Sequence, residues 1–150
     1  MKDLASVVAR FEDDQPGNTE LACYLWGYKL WTRAAMLRQL IEFFDSVGVR
    51  DQRALKKWAQ DADYKNDFRG KVKGLGQAVF HSLVMRQGVD TVKPDVHVHR
   101  FAENAVGRRL SDADTVEVVV GAAVRLGMKA ADLDWAIWEH GSRGIGPALQ

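Results

Sequence analysis

Residues 71–101 read KVKGLGQAVFHSLVMRQGVDTVKPDVHVHRF, and this stretch decides how the chain is read. A tight Gly74-Leu75-Gly76 turn opens an apolar helix. Glycine permits positive φ and lets a ligand come close to the backbone. A helix start presents bare N–H groups, which suit a phosphate. Leu75 is expected to tuck between the flanking helices, and Lys71 and Lys73 add positive charge beside the turn. Such a contact positions a nucleic acid without reading its sequence. Asp95 follows Pro94 and precedes an aromatic and basic helical run. It is an N-capping aspartate by position. An acid held a fixed distance beyond a phosphate-binding turn is also placed to act on the nucleotide that the turn anchors.

Working outward, the pattern is helical and the expected fold class is all-α. Leu4, Val7, Val8 and Phe11 recur at helical spacing, and Gln15-Pro16-Gly17-Asn18 is expected to end that helix. Asn18 or Thr19 then caps a helix over about 20–45, broken or kinked at Gly27. Val47-Gly48-Val49 is a turn, and Asp51 caps a short helix, QRALKKWA. Residues 61–70 are polar and loop-like. The helix after Gly76 runs to about Gln87 and ends at Gly88, as helices commonly do. Residues 89–94 are expected to be extended, because a residue before proline disfavours the helical region. A helix from about 95 to 107 follows. Ser111 and Asp112 open the next one, ended by Gly127. Thr115–Val120 is strand-like by propensity, but Val116, Val119, Val120 and Ala123 keep helical spacing. A last helix, LDWAIWEH, stops at Gly141, and the tail SRGIGPALQ is expected to be irregular.

Composition bounds the function. A chain of 150 residues is one domain by the usual expectation, here residues 1–150, with enough length to bury a real core. Apolar content of 47% with charged content of 27% marks an ordinary globular protein. No apolar run approaches a membrane span, and MKDLASVVARFEDD has no long apolar stretch, so neither membrane insertion nor a signal peptide is expected. The single cysteine, Cys23, excludes an internal disulfide and a cysteine-rich metal or iron–sulfur site, and a cytoplasmic setting fits. Net charge is only +1, yet residues 65–109 hold nine Lys or Arg against four acids. A basic stripe on an otherwise acidic chain is an oriented electrostatic footprint for nucleic acid, and a solvated surface is its plain alternative.

Taken together, VKGLG over 72–76 and PDVHVHRF over 94–101 resemble the helix-hairpin-helix DNA glycosylase superfamily, the endonuclease III-like enzymes. LDWAIWEHG over 133–141 is similar to that family's helix ending in His-Gly. The resemblance is strong over roughly 72–105, fair to 141 and weak before 65. It implies two compact helical lobes with the active site in the cleft between them. The target base is flipped out of DNA into that cleft. Asp95 is then the catalytic acid, stabilising positive charge on the sugar as the N-glycosidic bond breaks. His97 falls at a family position that touches a DNA phosphate, and His99 and Arg100 are expected to add backbone contacts. The family usually acts as a monomer.

Departures from the family pattern refine the expectation. Family members that also cleave the strand carry a lysine two residues after the second hairpin glycine; here Ala78 stands there. The expected enzyme is therefore monofunctional, leaving an abasic site. No cysteine follows Cys23, so no iron–sulfur cluster is expected, and no other cofactor. ACYLWGYKLWTR occupies the region of a glutamine-rich family signature. Tyr24, Tyr28 and Trp31 recur there at helical spacing, either as a core face or as the lining of a base pocket. Trp58, Trp135 and Trp138 read as core. A metal site from His81, His97 and His99 is not expected, because His-x-His suits a strand rather than a helix. The alternative to an enzyme is a non-catalytic helix-hairpin-helix module that binds DNA and uses Asp95 only as a cap.

Overall fold

The computed structural model describes residues 2–142, all of whose regular structure is helical. The tail from Arg143 onward, expected to be irregular, lies outside the described residues. Among those described, no helix is long and apolar enough to cross a membrane. The chain divides into two compact units, Met1–Leu75 and Gly76–Gln150. The dividing point falls inside the glycine turn.

The first unit starts with α1 (Lys2–Val8), α2 (Gln15–Trp26) and α3 (Trp31–Ser46). The Gln15-Pro16-Gly17-Asn18 segment begins α2, where a helix stop was expected. Asp14 is extended and its carboxylate accepts the Gly17 N–H at 2.7 Å, which caps the helix one turn earlier than Asn18 or Thr19 would. Pro16 sits in the first turn, where its missing N–H costs nothing. Gly27 ends α2 in the left-handed region at φ 75°, so the expected long helix is two. Leu21, Ala22, Ala34 and Val8 form the core of this region, with Leu25, Leu37 and Ile41 packed against it.

The Arg38 guanidinium ties the α1–α2 connection to α3. It donates to the carbonyls of Phe11 and Glu12 at 2.7 and 2.9 Å and to Asn18 Oδ1 at 2.8 Å. Asn18 is itself buried and donates to Asp13. Polar groups taken from water this way need their partners.

Asp51 caps α4 (Gln52–Asp61), as expected, through the Ala54 N–H. The polar stretch after it contains a one-turn π-helix over Tyr64–Phe68, capped by Asp63. Phe43 and Phe44 of α3, Trp58 of α4 and Phe68 pack edge-on and tilted, with centroids 5.0–6.3 Å apart. Aromatic pairs prefer such geometry to a face-to-face sandwich.

The second unit holds α5 (Gln77–Arg86), α6 (Val96–Val106), α7 (Asp112–Leu126) and α8 (Ala130–Ser142). Ser111 and Asp114 form a full capping box on α7, and Gly127 closes it. Thr115–Val120 is therefore helix, with Thr115 and Val119 inside and Glu117 outside. α6, α7 and α8 pack on one another through Val98, Ala102, Val119, Ala123, Ala130 and Ile137, and Val92 joins them from the irregular strap before α6. Small residues at the centre allow close helix approach. Trp135 and Trp138 lie outside this core, 63% and 41% exposed, against the sequence expectation. α8 turns Ala130, Leu133 and Ile137 inward, which leaves the two indoles stacked on each other at 5.2 Å.

Arg38→Met should lower the stability of the first unit by about 2 kcal/mol, because it removes the partner of the buried Asn18 Oδ1 and of the part-buried Phe11 carbonyl. Urea denaturation followed by circular dichroism checks this, and Arg38→Lys should recover little, since one ammonium cannot reproduce the guanidinium fork.

Candidate functional site

Pro94 sets up the site. It is buried, the residues from Val89 up to it form no regular structure, and the Asp95 N–H turns back to the Lys93 carbonyl at 2.8 Å. Asp95 is extended, at φ −93° and ψ −179°, and is the N-cap of α6. Its Oδ1 accepts the N–H groups of His97 at 3.0 Å and Val98 at 3.2 Å. Its Oδ2 faces the Lys93 ammonium at 3.2 Å, and the side chain is 19% exposed. An anion at a helix N-terminus is favoured by both the bare amides and the helix dipole.

The strap carrying Lys93 is stapled to α8 twice. The Ala131 N–H donates to Asp90 Oδ1 at 3.0 Å, and the Lys93 N–H donates to Asp134 Oδ2 at 2.6 Å. Burial pushes the Asp134 carboxyl above the ordinary carboxylate value, and the negative charge of Asp95 pushes it the same way. The Lys93 amide bond and ammonium pull it back down. Two carboxylates and one ammonium thus meet at the start of α6. The sequence reading found Asp95 but neither of its neighbours. In the sequence Lys93 is one of the basic residues of 65–109, and Asp134 lies 41 residues beyond it, visible only once α8 folds back. No group of three or more His, Cys, Asp and Glu side chains among the described residues is placed to hold a metal ion.

The histidines divide by role. His97 packs against Gly141 so closely that a Cβ there would sit 2.7 Å from Nδ1. This contact explains why α8 carries glycine after His140. His99 spends both ring nitrogens inside the unit, Nε2 on Asp112 at 2.8 Å and Nδ1 on Thr115 Oγ1 at 2.9 Å. It fastens α6 to the start of α7, a use that competes with the backbone contact expected of it. Arg100 is exposed on α6. His81 is buried on α5 between Gln77 at 3.3 Å and Thr91 Oγ1 at 3.1 Å. Burial lowers its pKa from 6.5, against a smaller upward pull from Asp112.

The glycine turn follows the π-helical turn rather than a full helix. Gly74 has φ 84°, and its open Cα side takes the Met36 methyl, which would lie 2.7 Å from a Cβ. The Lys73 N–H donates to Gln39 Oε1 at 3.3 Å and the Leu75 N–H to the Val72 carbonyl at 3.3 Å. Those two amides face the protein. Gly76 begins α5 without a side-chain cap. In the first unit Lys71 and Lys73 are exposed.

Tyr24, Tyr28 and Trp31 do not form one helix face, because Gly27 separates α2 from α3 between them. Tyr24 leans on Phe11, and Tyr28 stacks on Trp26. All three are exposed, so they are not a core face.

Residues 28–142 match the model of DUF8548, a domain of unknown function. The chain belongs to the DUF8548 family. No curated protein and no solved structure matches it. The matched span of this DUF8548 protein runs from Tyr28 to the end of α8 and contains Lys93, Asp95 and Asp134.

Because folding holds His81 neutral below 6.5 while the unfolded chain takes up its proton there, the unfolded state binds more protons as pH falls through that range. Stability should therefore fall below pH 6.5 and rise toward neutrality. In His81→Gln that part of the slope should vanish, as read from urea midpoints measured across the range.

Proposed function

We propose that this DUF8548 protein is a monofunctional DNA glycosylase of base excision repair. It flips a damaged or modified base out of DNA and hydrolyses its N-glycosidic bond. The observation that carries this reading is the Asp95 carboxylate, largely withdrawn from solvent at the amide end of α6, with Lys93 and Asp134 beside it. Support comes also from the resemblance of residues 72–76 and 94–101 to the glycosylase motifs.

In this reading the C1′–N bond stretches and the sugar takes on oxocarbenium character. The Asp95 anion opposes that positive charge. Water attacks C1′, the base leaves with the bonding pair, and the proton released by the water neutralises the departing base. A fixed anion in a poorly hydrated site needs no reorganisation as charge develops, which is where such sites gain most. Asp134 acts at one remove, holding the Lys93 amide and thereby the carboxylate's cationic neighbour. Gly76, Lys71, Lys73, His97 and Arg100 would receive the DNA backbone, with Gly74 and Leu75 shaping the turn.

A second reading is a DNA-binding module without chemistry. The observation favouring it is that both Asp95 oxygens already have partners, Oδ1 in the cap and Oδ2 on Lys93. Asp95→Asn separates the two, because asparagine caps a helix as well as aspartate does.

Duplexes carrying uracil, hypoxanthine, alkylated purines, oxoguanine or mismatches, followed by hot alkali, provide the test. The wild type should yield alkali-dependent breaks on at least one lesion. Asp95→Asn should lose on the order of a hundredfold or more in rate while keeping its fold and DNA affinity. Breaks that survive this substitution unchanged, or DNA binding with no breaks on any lesion, would favour the binding module. A borohydride-trapped DNA adduct that disappears in Lys93→Gln would instead make the protein a lyase.

A further inference from the structure

The segment around Gly27 presents an aromatic surface that the fold itself does not use. α2 directs Leu21 and Ala22 into the core and ends at Gly27, and the chain then runs irregularly to α3 at Trp31. This leaves Tyr24, Trp26, Tyr28 and Trp31 at 57%, 39%, 40% and 39% exposure. Trp26 and Tyr28 stand nearly parallel, at 20°, with centroids 6.1 Å apart. Arg33 lies 5.7 Å from the centre of the Tyr28 ring and donates to its hydroxyl at 2.6 Å. Arg10 lies 5.5 Å from the centre of the Tyr24 ring. Residues 21–41 contain Lys29, Arg33 and Arg38 and no acid at all. Arg38 is committed to the core of the unit, while Lys29 and Arg33 are exposed.

We infer that this face is a stacking platform for unpaired bases of a single-stranded nucleic acid, with Trp26, Tyr28 and Trp31 as ring partners and Lys29 and Arg33 as phosphate partners. Bases have flat π-faces that stack on aromatic rings whatever their sequence, and the strand's phosphates need cations between the rings. Arg33, bonded to the Tyr28 hydroxyl, holds a positive charge close to that ring. Rings interleaved with cations fit a polyanion, and Glu20, which shares a pocket with Lys29, is a carboxylate at the margin of this face. A protein partner would bring carboxylates to Lys29 and Arg33 and apolar side chains to the rings. The inference concerns the first unit alone and is independent of the chemistry proposed at Asp95.

The test is fluorescence anisotropy of a labelled, lesion-free oligothymidylate titrated with the protein, using oligoadenylate as a second probe. Both strands should bind, with affinity falling as salt rises. Trp26→Ala and Tyr28→Ala should each weaken binding about tenfold. Trp26→Phe should restore most of the loss, and Lys29→Glu with Arg33→Glu should flatten the salt dependence. Asp95→Asn should bind these strands as the wild type does, so failure of the glycosylase reading would leave this result intact. Affinity for neither strand, or affinity that the ring variants leave unchanged while circular dichroism shows them folded, would overturn the platform. So would a wild-type dimer in sedimentation that Trp26→Ala and Tyr28→Ala convert to monomer, because a second copy would then cover the rings.

Discussion

The cap of α6 is the interaction on which the second unit depends. One oxygen of Asp95 takes two backbone amides and so fixes where the helix begins. That starting point sets the register of Val98 and Ala102, which pack into the core shared with α7 and α8. It also sets His97 against Gly141 and His99 against Asp112 and Thr115. Shifting the start by one residue would rotate each of these contacts by about 100° around the helix. Pro94, Lys93 and the two staples to α8 hold the cap from the other side.

The same interaction is what concentrates charge. A cap alone explains an aspartate. Beside it Asp134 of α8 holds the Lys93 N–H and is raised above its ordinary value by burial and by Asp95, and the Lys93 ammonium reaches back to the cap. Holding two acids near one another costs free energy that a purely structural cap does not need. Clusters of this kind concentrate at functional sites, although structural ion networks produce them too. The proposed function places the cost where a cationic sugar would offset it.

How much of this was legible in the sequence depended on how local each signal was. Asp51, Gly76, Asp95, Ser111 and Gly127 mark helix ends through their own side chains or their own flexibility, and the helices they bound lie where expected. Asp14 carries the same signal but was overruled by Pro16, which reads as a breaker and acts as a first-turn residue. At Gly27 the sequence leaves a break and a kink open, and the positive φ makes it a break. Trp135 and Trp138 read as core in the sequence, whereas Ala130, Leu133 and Ile137 fill the inner stripe of α8. Asp134 had no local signal, since its place beside Lys93 exists only after α6 and α8 pack.

The central claim is that Asp95 stabilises a cationic sugar, and it is tested without knowing which base is removed. The measurement is the affinity of wild type and Asp95→Asn for two duplexes, one with a cationic pyrrolidine at the abasic position and one with a neutral tetrahydrofuran. An anion arranged for the transition state should bind the pyrrolidine duplex about a hundredfold more tightly or better, and Asp95→Asn should erase that preference. Equal affinity of the wild type for the two duplexes would contradict the account and leave Asp95 as a helix cap.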